Sequence, residues 1–246
     1  MIAKRSDALE WFIMNAAIQS ICYNISQHPE IRNTSLKRSH VHEVVSALLG
    51  YASHAALTQE SKKSQDDKKP LYEFSLSEAE YIVLNLPQGL ERALKFGVSD
   101  DAFRIFISEL KSGLSAKVSE SVDDFYDDHI REILAEEINQ HALDSGEMAE
   151  SNAYFDYLPD MDYKLETSGN LWTSVDEWSI ADTGTLSGEY DPEGDRMYNG
   201  HTLNVKGKFI FAKAGRAGLV LLDDSTECFI WPDESWRDYE PLEAEG

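Results

Sequence analysis

Apolar residues recur at helical spacing through the first half of the chain and alternate at strand spacing in its last quarter. Trp11, Met14, Ile18, Ile21 and Ile25 fall three and four apart, and Leu9, Phe12 and Ile13 widen their face. Ser6 is a good N-cap with Asp7 in the first turn, so a helix is predicted to open there. It should close near His28-Pro29, because proline disfavours helix in the residue before it. A face this wide predicts burial on both sides. A second helix is predicted from about His40 to Leu49, breaking at Gly50, and Ser53 can cap a third through Ala55, Ala56 and Leu57. The stretch 58–70 has no apolar residue and reads as a solvated linker.

Residues 71–76 alternate well enough for a short strand. Ser77 and Glu80 form an S-x-x-E capping box, predicting a helix through Tyr81, Ile82 and Leu84 that stops near Pro87. Leu90, Ala93 and Leu94 predict a further helical segment closing at Gly97. Ser99 caps again, and Phe103, Phe106, Ile107 and Leu110 stand at i, i+3, i+4 and i+7 of an amphipathic helix that Gly113 ends. A longer helix is predicted over 121–143. Beyond Leu171 the helical period is lost. Leu203, Val205, Phe209 and Phe211 alternate, with Lys206 and Lys208 among the outward positions, and 214–218 reads as a hairpin loop before the apolar run 219–222. Strands are also expected near 171–180, 185–190 and 227–231.

The whole pattern is that of an α+β protein, with helical N-terminal and central segments followed by a C-terminal antiparallel β-sheet or small open barrel. The expected organisation is a helical module over 1–60, a polar linker over 61–70, a helical segment with an acidic helix over 71–146, and an antiparallel β domain with an acidic tail over 147–246.

Charge changes the picture most. The chain carries 22 Lys and Arg against 45 Asp and Glu, a net of −23, and residues 119–199 alone hold 3 against 22. Such an excess argues against general binding to nucleic acid or anionic membranes, which are polyanions themselves. No stretch reads as a signal peptide or membrane span, and the two distant cysteines, Cys22 and Cys228, sit in apolar surroundings as free thiols. A cytoplasmic location is expected, with no membrane partner.

Within 121–143, Asp124, Asp128, Glu132 and Glu136 fall at i+4 steps and would stand in one row, with Asp123 and Asp127 opening a neighbouring row. Tyr126, Ile130, Ile133 and Ile138 are left for burial. Like charges at this spacing cost roughly 0.2–0.5 kcal/mol per pair. The row reads as a solvated face, as a docking surface for a basic protein, or as imitation of DNA by an inhibitor occupying a nucleic-acid-binding site. Imitation would need Asp156, Asp160, Asp162 or Glu166 folded alongside, since one DNA strand offers a charge every ~3.4 Å of axis.

The same acids offer little to a metal. Glu137 with His141, and His129 with Glu132, miss the paired Glu-x-x-His pattern of di-metal bundles. Asp160-x-Asp162 has Lys164 at the fifth loop position, and Asp191-x-Glu193-x-Asp195 has Arg196 where a calcium loop needs glycine. No metal and no cofactor are expected, and no nucleophile elbow, P-loop or dinucleotide fingerprint is present. An enzyme would need a site assembled from distant residues, expected as a pocket with perturbed titratable groups at the helical–β junction.

Residues 36–60 contain Ser46 and Gly50 four apart, with Ser53 starting a second helix. The stretch 49–57 resembles the turn of helix-turn-helix regulators of the AraC type, which implies DNA binding as an alternative, with Lys37 and Arg38 as the phosphate contacts. Ser53 to Gln59 carries no Lys or Arg, and the plain reading is a helical hairpin. His40, His42 and His54 converge only if the turn brings them together. Trp172, Trp178, Tyr190, Tyr198, Trp231, Trp236 and Tyr239 crowd the C-terminal region as core or edge-covering residues, Trp236 and Tyr239 being the exposed anchors.

Overall fold

The computed structural model describes residues 7–63, 71–150, 153–155, 158–190 and 201–234. It is α+β. The helices are α1 (Asp7–Gln27), α2 (Pro29–Arg32), α3 (Arg38–Leu48), α4 (His54–Lys63), α5 (Leu86–Lys95), α6 (Asp100–Gly113), α7 (Val122–Phe125), α8 (Arg131–Leu143) and α9 (Gly146–Glu150). The strands are β1 (Tyr81–Val83), β2 (Lys117–Ser119), β3 (Ala153–Tyr154), β4 (Asp160–Met161), β5 (Glu166–Thr167), β6 (Glu177–Ser187), β7 (Glu189–Tyr190), β8 (Thr202–Ala214) and β9 (Gly218–Pro232). No helix among the described residues is long and apolar enough to cross a membrane.

The chain forms two compact units. The first comprises Met1–Asp128, Ser168–Trp178 and Ile210–Asp223, the second His129–Thr167, Ser179–Phe209 and Asp224–Gly246. In the first, α1 packs on α3 and α6, and α3 packs on α5, where Gly89 seats Leu48 so closely that a Cβ would fall 2.4 Å from its Cδ2. In the second half of α1, Ile18, Ile21, Cys22 and Ile25 are buried but Ser20, Tyr23 and Asn24 are exposed, so this half keeps a wet face; the side chains of Leu9, Trp11, Phe12, Ile13 and Met14, which widen the expected face, lie outside the described residues. The sheet of this unit runs β2-β1-β9-β8, with β1 parallel to β2 and antiparallel to β9.

Four predicted elements differ. The stretch 58–70, expected as a linker with its core at 61–70, is helical as far as Lys63, the end of α4, and 64–70 lie outside the described residues. The expected strand at 71–76 is a single bridge, Phe74 to Ala214. The capping box forms two residues early, between Ser75 and Glu78, and caps only the 3₁₀ turn Leu76–Glu78. Tyr81, Ile82 and Val83 are a wholly buried strand instead of a helix, because an aromatic followed by two β-branched residues suits a central strand with neighbours on both sides. Pro87 opens α5 instead of ending a helix. It occupies the first turn, where its missing N–H costs nothing, behind the Asn85 cap on the Gln88 N–H.

The second unit carries the sheet order β9-β8-β6-β4, with β5 also on β6, and a separate β3–β7 pair. Segments 219–222 and 227–231, expected as two strands, are one continuous β9. Leu134 and Ile138 of α8 seat against Gly207 of β8, where a Cβ would meet their methyl groups at 2.7 and 2.8 Å. Asp182, fully buried on β6, accepts the backbone N–H groups of Tyr163, Lys164 and Thr183 and so fixes the loop after β4.

Candidate functional site

The acidic stretch opens as expected. Ser121 caps α7 by accepting the Asp124 N–H at 3.0 Å, and Asp123 and Asp124 stand in the first turn, where the helix dipole favours them. The predicted single helix over 121–143 is instead broken in two: Tyr126–Ile130 is a π-helical turn between α7 and α8. Its i→i+5 bonds take in one more residue than an α turn. The inward face is therefore re-registered: Phe125, Tyr126, Ile130, Leu134 and Ile138 are buried, and Ile133 is only half-buried where Leu134 takes its place. The even i+4 row is interrupted at the same turn.

Asp123, Asp124, Asp127 and Asp128 in the first unit are all exposed, and so are Glu132 and Glu136 in the second. Among the described residues none of Asp123, Asp124, Asp128, Glu132 and Glu136 has a salt-bridge partner. In the first unit the quartet stands on an anchored segment. Phe125 lies edge-on to Tyr81 and Phe211 at 5.3 and 5.5 Å and beside Trp178 at 6.3 Å. Of the acids that imitation of DNA would add, Glu166 pairs with Lys206 at 2.5 Å and Asp162 accepts the Thr183 hydroxyl at 2.7 Å. Asp160 is exposed on β4, and Asp156 lies outside the described residues, as do 191–196, Tyr198, Trp236 and Tyr239.

The hairpin α3–α4 forms where the sequence places it. Gly50 takes φ +81° at the end of α3, and the Ser53 hydroxyl accepts the Ala56 N–H. Lys37 and Arg38 are exposed at the start of α3. On α4, Leu57 is buried and Glu60 turns inward, leaving Ala55 and Gln59 outward, and the helix runs past the expected Gln59 to end in two cations, Lys62 and Lys63. The turn brings His42 and His54 together, with ring centroids 4.6 Å apart. His40 instead stacks on Phe96 at 4.2 Å. Burial, then the His54 and Arg38 charges, hold His42 below its usual value of 6.5. Glu43 ties the hairpin to α5 through Arg92, at 2.6 Å.

Sequence reasoning missed a buried polar cluster in the first unit. The Tyr51 hydroxyl donates to Glu60 Oε1 at 2.5 Å, and Arg216 stands over the Tyr51 ring with its Nε 3.8 Å from Glu60 Oε2. Lys213 is fully buried, its Nζ donating to the Arg216 carbonyl at 2.8 Å. Burial lowers the Lys213 amine from 10.5 to about 7, and nearby Glu60 only partly opposes this. Burial likewise holds the Tyr51 phenol well above 10 and pushes that of Tyr72 up to about 12. The signal was present in the strand period: Phe209, Phe211 and Lys213 share one phase, so a lysine stands on the inward side of β8.

These are perturbed groups where helix meets sheet. A cleft of about 700 Å³ lies in this unit beside α5 and α6, lined by Leu90, Phe103, Arg104 and Ile107 and by the Lys111–Glu120 ion pair at 2.6 Å. The cluster holds α4 to the β8–β9 turn. Cys22 is buried and Cys228 half-buried, both as free thiols. Among the described residues no three His, Cys, Asp or Glu side chains converge as a metal site would require. No family model, no curated protein and no solved structure matches this chain.

Proposed function

We propose that this chain is a non-enzymatic interaction protein that engages a basic protein surface through the carboxylates of 122–143. In one form of this role it occupies the nucleic-acid-binding site of its partner. One observation carries the reading. Asp123, Asp124, Asp127 and Asp128 in the first unit, and Glu132 and Glu136 in the second, all face solvent from segments whose other side is locked into a core. Folding does not require six acids there, since exposed like charges oppose compaction. A π turn in the middle adds support, because such turns are maintained at a cost and concentrate at functional positions. Two free thiols fit a reducing compartment such as the cytoplasm.

The test is capture from cell lysate at low salt, comparing the wild type with a variant carrying D124N, D128N, E132Q and E136Q. A basic protein retained by the wild type, released by salt and lost by the variant is the expected outcome. Equal recovery by both would return these acids to a solvated face. DNA retained by both, and lost on K37A with R38A, would favour the helix-turn-helix reading instead.

A further inference from the structure

We propose that the outer edge of β9 in the second unit, residues 226–231, docks an extended peptide with an apolar centre and basic ends by adding it as a strand. On its inner side β9 is held by β8. The Asp233 N–H donates to the Thr202 carbonyl at 3.0 Å, and Lys208 pairs with Glu227 at 3.0 Å, two contacts in one register. Successive residues of a strand turn their backbone groups to opposite sides. Asp233, Trp231, Phe229 and Glu227 therefore turn theirs to β8, while Thr226, Cys228 and Ile230 turn theirs away. Pro232 falls in the outward set and lacks an N–H, which is where an edge tolerates proline. Among the described residues no strand pairs with this side of β9 beyond Leu219.

The edge carries exposed aromatic surface. Phe229 is 54% and Trp231 43% exposed, two residues apart on one face. A row of open backbone groups beside exposed aromatics is what strand addition uses, the backbone supplying affinity and alternate side chains selectivity.

Charge decides the occupant. The second unit holds 6 Lys and Arg against 23 Asp and Glu, a net of −17. Asp224 and Glu227 precede the aromatic pair, and Asp233 and Glu234 come after it. A second copy would bring the same excess against itself, and nucleic acid would bring phosphates. A peptide with cations at both ends and apolar or β-branched residues between them meets the acids and the aromatics together.

The probe is an end-blocked, fluorescent Lys-Lys-Val-Thr-Val-Thr-Lys-Lys peptide, with a control methylated on alternate backbone nitrogens. The full chain should bind the first peptide and shift the amide resonances of 226–231. It should bind the methylated peptide at least about tenfold more weakly, a difference of about 1.4 kcal/mol. The same loss is expected for F229S with W231S, and for T226P, which removes an outward N–H. General attraction to the acidic helix is equal for the two peptides, so their difference isolates the edge. Equal affinity for both peptides, or no binding by the wild type, would overturn the proposal. So would wild-type affinity in the aromatic double variant, whose two side chains are exposed enough to be replaced without loss of fold.

Discussion

The two units handle charge in opposite ways. The first carries 16 Lys and Arg against 22 Asp and Glu, a net of −6, and spends its charges internally. Arg92 meets Glu43, Lys111 meets Glu120, Arg216 stands near Glu60, and Lys213 is sealed inside. The second carries a net of −17, and its six cations, among them Lys206 on Glu166, Lys208 on Glu227 and Lys164 near Asp162, cannot match its 23 acids. Polar groups in the first unit specify a fold, since a buried polar group tolerates only the arrangement that satisfies it. The excess in the second opposes compaction, and in the function proposed above it answers to a basic partner.

Four experiments sharpen that contrast. The largest effect is expected from L134A, which empties the seat on Gly207 and should cost about 2–5 kcal/mol, read as a lower urea midpoint at unchanged slope. Next comes Lys213. Its amine titrates at about 7 when folded and 10.5 when unfolded, so between these values the unfolded chain holds a proton that the native one lacks. Stability should rise with pH across that window by up to about 1.4 kcal/mol per unit, and below 7 the full penalty remains. K213M should be more stable than the wild type at neutral pH and should lose that slope.

His42 works on the acid side. Its folded value lies below 6.5, so stability should fall as pH drops through 6.5, and H42N should flatten the fall in a series of urea titrations. The smallest effect belongs to the acids. Only Glu132 and Glu136 keep a regular i+4 relation within α8, and neutralising them should gain about 0.2–0.5 kcal/mol. D124N should give back a similar amount by weakening the start of α7. A large gain would mean the acids strain the fold; near-zero change would mean the fold is indifferent to them.

The fold class was legible because its long elements have strong periods. Phe103, Phe106, Ile107 and Leu110 read as one helix face, and all four are buried in α6. Tyr81 to Val83 failed because three residues cannot show a period, and a capping box ahead of them suggested helix. Ile133 failed because the π turn leaves no mark in an α-helical count. Lys213 is visible in the sequence as a lysine on the apolar phase of β8. Glu60 was not visible, since its partners Tyr51 and Arg216 are distant in sequence. Alternation alone does not tell a wet face from a covered one, and Phe229 and Trp231 share the wet face of β9.

Each unit is assembled from three stretches of chain, and β8 and β9 each contribute one end to either unit. No single stop codon or protease cut can deliver one unit intact. A gene ending before residue 202 would strip strands from both, and a domain excised by sequence position would be a fragment. Ribosomal synthesis must also release most of the chain before either unit can close, so the nascent protein passes through a long interval with its sheet unmade.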